Sequence, residues 1–193
     1  MPFCSNARFT LTARAIRLPL IALLVAIAAG ASRRVMNPVV VVPDTVRDSL
    51  NSVWTQANLH WNEIADQNTL TQALGTGKPT QKEYLGCLIG DTDGDTVHVI
   101  GWIPAQDMKR FQFAVTGNCD NVPGSIGTFH THPYRAGPEG EALKEPGLST
   151  QDLSTFSGGT DRVLIVVWDV DSLDVALRAS DGRIVHPAPL LPR

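Results

Sequence analysis

Arg162 to Trp168 reads RVLIVVW, and this stretch decides the class of fold. Its length suits a strand, and an unbroken apolar run, unlike an alternating one, marks a strand of the fully buried sort. Working upstream, Ser149 to Phe156 opens a helix, and Tyr134 to Gly147 is a polar loop rich in Pro, Gly and Glu. Before that loop, Gly124 to His132 reads as a strand, with Ile126 and Thr128 alternating around small residues. Downstream, Leu173 to Ala179 and Arg183 to Val185 complete the sheet. Strands interleaved with a few helices predict a layered α/β or α+β domain.

Further from this centre, Val46, Leu50, Val53, Trp54 and Ala57 recur at spacings of three and four. That pattern predicts a helix from Asp44 to Trp61, with Asp44 as its N-cap. Asn68 to Gln81 is rich in Gly, Thr and Pro and reads as a loop. Glu83 to Ile89 and Thr96 to Ile103 read as two strands of a hairpin, turned at Asp93-Gly94. The acids Asp91, Asp93 and Asp95 do not make a calcium loop, because Trp102 stands where such a loop needs its closing Glu. Phe111 to Val115 is a further short strand.

A chain of 193 residues with 43% hydrophobic and 18% charged residues fits one globular domain. The net charge of −3 conceals an asymmetry. Residues 1–35 carry Arg8, Arg14, Arg17, Arg33 and Arg34 without an acid, leaving 11 basic against 19 acidic residues in the rest. So acidic a body would be repelled by phosphate backbones, which excludes nucleic acid as its main partner. Residues 1–35 form a targeting segment, separate from a domain at 36–193. After the basic head, Leu18 to Ala31 is an uncharged stretch of 14, the length of a signal-peptide core and short of the ~20 residues of a membrane span. Export is the preferred reading; a retained anchor holding residues 16–31 in a membrane, or translation from Met36 with a cytoplasmic protein, are the alternatives. Of the three cysteines, Cys87 and Cys119 lie in the body. They read as two small buried residues in preference to a disulfide, and without Cys-x-x-Cys spacing they make no cysteine metal site.

His130-Thr131-His132-Pro133 carries the chemistry. Residues two apart on a strand share a face, so both imidazoles can converge on one ion, and Pro133 biases His132 toward an extended backbone. Two histidines need a further ligand. Ser149-Thr150-Gln151-Asp152 reads locally as a capping box, and Asp152 stands equally as a third ligand; one carboxylate does not easily serve both purposes. Glu83, an acid opening an apolar strand, is either a solvated strand end or a general base.

Glu83-x-x-Gly86-x-Leu88-x-Gly90, then Gly127-x-x-His130-Thr131-His132-Pro133, then Leu148-Ser149-x-x-Asp152-Leu153 resembles the JAMM motif of MPN-domain metallopeptidases. The resemblance spans about residues 44–180. It implies a three-layer α/β fold of the MPN / cytidine-deaminase-like kind, a mixed central sheet flanked by helices. It further implies one Zn2+ per chain on His130, His132 and Asp152. Glu83 would be the general base towards water on the metal, and Ser149 would steady the oxyanion. The reaction implied is hydrolysis of a peptide or isopeptide bond in a peptide or protein-conjugate substrate, the alternative being a non-catalytic MPN-type scaffold. A zinc deaminase is excluded, since His-x-Glu and Pro-Cys-x-x-Cys are both absent. Sixteen residues part His132 from Ser149, more than is usual in that family, so Tyr134 to Gly147 reads as an insertion beside the groove, shaping substrate choice or acting as a lid. It contains Glu139, Glu141 and Glu145, none of which is followed by a helix start as Asp152 is.

Overall fold

A computed structural model describes residues 38–58, 82–111, 114–136 and 141–191, and the elements below belong to those residues. The targeting segment expected at 1–35 and the loop expected at 68–81 lie outside them. The chain forms β1 (Val39–Val41), α1 (Asp44–Asn58), β2 (Leu85–Asp93), β3 (Thr96–Pro104), β4 (Gln106–Arg110), β5 (Val115–Asn118) and β6 (Ser125–Thr131). It continues through β7 (Arg135–Ala136), β8 (Ala142–Leu143), α2 (Thr150–Gly158), β9 (Val163–Asp169), β10 (Ser172–Arg178), β11 (Ile184–Val185) and β12 (Leu190–Leu191). The fold is mixed α/β. One eight-stranded sheet runs in the order β11-β10-β9-β6-β2-β3-β1-β12, parallel where β1 meets β3 and β12 and where β6 meets β9.

The buried run at 163–167 explains how the layers form. Val163, Ile165 and Val167 point into the main core, together with Val46, Leu50 and Trp54 of α1. Leu164 and Val166 point the other way and pack with Phe156 of α2. Alternation along one strand therefore seats the two helices on opposite faces of the sheet. Each fully buried Val, Ile or Phe contributes roughly 1.5–3 kcal/mol, so apolar residues on both sides of β9 make this strand the centre of stability. Because β6 and β9 are parallel, a crossover must join them, and α2 lies within it.

Several expectations need correction. Arg47 N–H donates to Pro43 O, so Pro43 occupies the cap position and Asp44 is already inside α1. The two-residue hairpin turn is Gly94-Asp95, since Asp93 pairs with Thr96; Gly94 takes φ +59, which glycine adopts without strain. Of the short strand expected at Phe111 to Val115, only Val115 lies in a strand among the described residues, as the start of β5; Phe111 N–H donates to Ala114 O, and β4 and β5 pair antiparallel. Cys87 and Cys119 form a disulfide. The insertion is not wholly loop, because β7 and β8 pair across it.

Candidate metal centre

β6 and the extended residue just beyond it deliver both imidazoles to one side. His130 pairs with Val166, on the α2 face, whereas Phe129 beside it pairs with Ile165 and enters the main core. His132 follows two residues later, its N–H donating to Val167 O. Both histidines are buried. From the other side, Ser149 caps α2 and Asp152 projects from its first turn. Ligands in α/β sheets collect where strand ends meet helix starts, as here.

The donor atoms converge. His130 Nε2 and His132 Nε2 are 3.0 Å apart, and Asp152 Oδ1 and Oδ2 lie 3.3 and 3.5 Å from them respectively. All three residues offer a ligand atom within 4.8 Å of the others, and together they can hold a metal ion. Ligand atoms about 2.05 Å from a tetrahedral ion stand roughly 3.3 Å apart, so the observed spacings fit. His132 Nδ1 lies 3.3 Å from Glu145 O, a bond that fixes the Nδ1–H tautomer and leaves the Nε2 lone pair for the ion.

Asp152 does what a choice between cap and ligand seemed to forbid. Its Oδ2 accepts from Ser149 N and from Ser149 Oγ, both at 2.7 Å, while Ser149 Oγ accepts from Asp152 N. The same carboxylate closes the capping box and faces the imidazoles. Burial alone would raise its pKa, but bonds from His130, His132 and Ser149 and the His130 charge hold it well below the usual carboxylate range. His132 is raised in turn: burial opposes its charge, but Asp152, Glu83 and Glu145 outweigh that.

Glu83 does not open the strand; it lies two residues before β2. It is nonetheless buried, and it lines one cavity with His130, His132, Ser149 and Asp152. Burial, partly offset by His132 and reinforced by Asp152, pushes its carboxyl up to about 7. Its backbone is pinned by Arg110, whose Nε donates to Glu83 O at 2.8 Å and whose Nη2 donates to Lys82 O at 2.8 Å. Sequence reasoning missed Arg110, because its hydrogen bonds go to main-chain carbonyls that carry no pattern. It equally missed Trp54, whose Nε1–H donates through the core to His132 O at 3.0 Å. Glu145 enters through its carbonyl, while its carboxylate pairs with Arg135.

Comparison with models of known protein families finds no match for this chain, and comparison with curated proteins finds no significant match.

Proposed function

We propose that this chain is a zinc metallopeptidase or isopeptidase of the JAMM (MPN) type, with a three-layer MPN-like fold. The observation that carries the reading is the convergence of His130, His132 and Asp152 within 4.8 Å, beside the buried Glu83. α1 and α2 on opposite sheet faces support the finer fold. A two-imidazole, one-carboxylate set is the donor chemistry of catalytic zinc, which keeps a fourth position open. Zinc held there would supply a Lewis acid that polarises the scissile carbonyl and makes water acidic.

The chain's own residues do the rest. Glu83 takes the proton of the attacking water and returns it to the leaving amine; burial holds its carboxyl up, and zinc beside it would favour the carboxylate that accepts the proton. Ser149 has one hydroxyl proton, which it gives to Asp152, so as an oxyanion donor it must leave that bond when substrate arrives. The cavity, of about 620 Å³, is large enough for a few residues of peptide. The targeting segment at 1–35 and the catalytic domain at 36–193 would place this activity outside the cytosol or at a membrane surface. The Cys87–Cys119 disulfide supports that location, since such bonds persist in oxidising compartments. Among the described residues no helix is long and apolar enough to cross a membrane.

Glu83→Gln tests the reading. It should keep zinc and fold while losing turnover by ~10²-fold or more across a panel of peptides and ubiquitin-like conjugates. Undiminished turnover in the variant would remove Glu83 as the base, and a zinc-loaded parent that cleaves nothing would favour the scaffold.

A further inference from the structure

The cavity does not end at the metal centre. It continues along the α2 face of β6, past Thr128 and Leu164, to Asp161 and Asp120. Thr128, which bonds Asp161, lies two residues from His130 on the same strand face, and alternate residues of a strand stand about 7 Å apart. That is the spacing between alternate side chains of an extended peptide.

Asp161 is the anomalous group at that end. Among the described residues its carboxylate accepts one side-chain hydrogen bond, from Thr128 Oγ1 across a long 3.3 Å. Burial pushes its carboxyl up, Asp120 adds to the rise, and Thr128 and Arg178 only partly oppose it. The cation whose charge acts on it, Arg178, is already committed elsewhere. Arg178 gives its Nε–H to Asp161 O and its Nη2 hydrogens to the carbonyls of Phe156 and Gly159, so it caps the end of α2. The same bonds fix the Asp161 backbone, and Arg162 N–H anchors the next residue on Ile126 O. The result is a held, half-buried carboxylate in an open cavity, paired with no cation among the described residues.

We propose that Asp161 is a specificity-determining residue that takes the ammonium or guanidinium group of a basic substrate residue, one or two positions from the bond aligned with the metal centre. This rests on the peptidase reading only for its alignment with a scissile bond. A cation entering there offsets both the burial of Asp161 and its repulsion from Asp120, which a neutral side chain of equal length does not.

The test uses the zinc-loaded full chain and fluorescently labelled, N-acetylated Ala/Gly octapeptides. One set carries a single Lys at each successive position and the other carries norleucine there. Binding is followed by anisotropy and cleavage by mass spectrometry. The best Lys peptide should bind about tenfold or more tightly than its norleucine twin, the scale of one charge-assisted hydrogen bond. Asp161→Asn, which keeps the shape and the Thr128 bond, should bring that ratio close to one. Asp161→Lys should shift the preference to Glu-containing peptides. Equal binding of the two sets by the parent, or an undiminished ratio in Asp161→Asn, overturns the proposal. Lys preference without cleavage leaves this site standing and counts against cleavage of linear peptides alone; cleavage without Lys preference overturns the site and leaves the peptidase reading standing.

Discussion

At the scale of single residues, the chemistry turns on two carboxylates in opposite states. Asp152 is held ionised by its neighbours, whereas Glu83 is pushed to about 7 by burial. A positive ion beside Glu83 must favour its charged form. In the metal-free protein the Glu83 carboxyl should therefore titrate near 7 by carbon NMR and move lower on zinc loading; an unmoved titration would place the ion elsewhere. Turnover should in turn fall as pH drops through the loaded protein's Glu83 titration, since only the carboxylate can take a proton. Asp152→Asn separates the two roles of that residue. Asn still accepts from Ser149 N–H, so α2 should keep its helix content, while the metal-free protein melts lower because the carboxylate's bonds with the imidazoles are lost. Zinc affinity should fall by more than about 100-fold, because an anionic ligand is lost. Calorimetry of metal binding beside thermal melts reads both. The histidines and Asp152 were legible because strand alternation and helix capping fix where such side chains point. The sharing of Asp152 was not, since only distances reveal that one oxygen pair serves both partners.

At the scale of elements, the site depends on contacts that cross the sheet. Trp54 of α1 lies on the opposite face from the metal centre, yet its indole N–H satisfies the buried carbonyl of His132. Trp54→Phe keeps the aromatic bulk and orphans that carbonyl, so unfolding free energy should drop by about 1–3 kcal/mol in urea titrations. Zinc affinity should weaken with it. Gly127 tests the β6–β9 pairing: a Cβ there would sit 1.9 Å from Val163 O, against backbone that cannot yield cheaply. Gly127→Ala should cost about 3 kcal/mol or more, or prevent folding altogether. Helical spacing revealed α1 and alternation revealed β6, whereas an unbroken apolar run marked β9, a capping box α2, and a tight-turn dipeptide the β2–β3 hairpin. β1 and β12, of three and two residues, are too short for any period. They join the sheet as parallel neighbours at opposite ends of the described chain, which no local pattern encodes. β4, mostly exposed, lacks the apolar alternation that would mark it.

At the scale of the whole molecule, the α2 face of the sheet carries the candidate metal centre and the disulfide. Leu85 pairs with His130 and Cys87 with Thr128, so Cys87 lies on the histidine face and ties β2 to the chain just after β5. Closing a loop of sequence separation 32 contributes about 3–4 kcal/mol by the chain-entropy estimate. A Cys87→Ser, Cys119→Ser double variant should lose about that much in denaturant titrations, and no loss would mean that the bond is dispensable to the wall of the cavity. The spacing of two cysteines 32 apart could not reveal this, since pairing depends on β2 and the segment after β5 meeting in space. The central claim is that His130, His132 and Asp152 form one zinc centre, and metal content measures it most directly. Purified full chain loaded with zinc and freed of excess should hold one ion per chain, and the His130→Ala, His132→Ala double variant close to none. Full zinc content in that double variant, or none in the parent, would contradict the account.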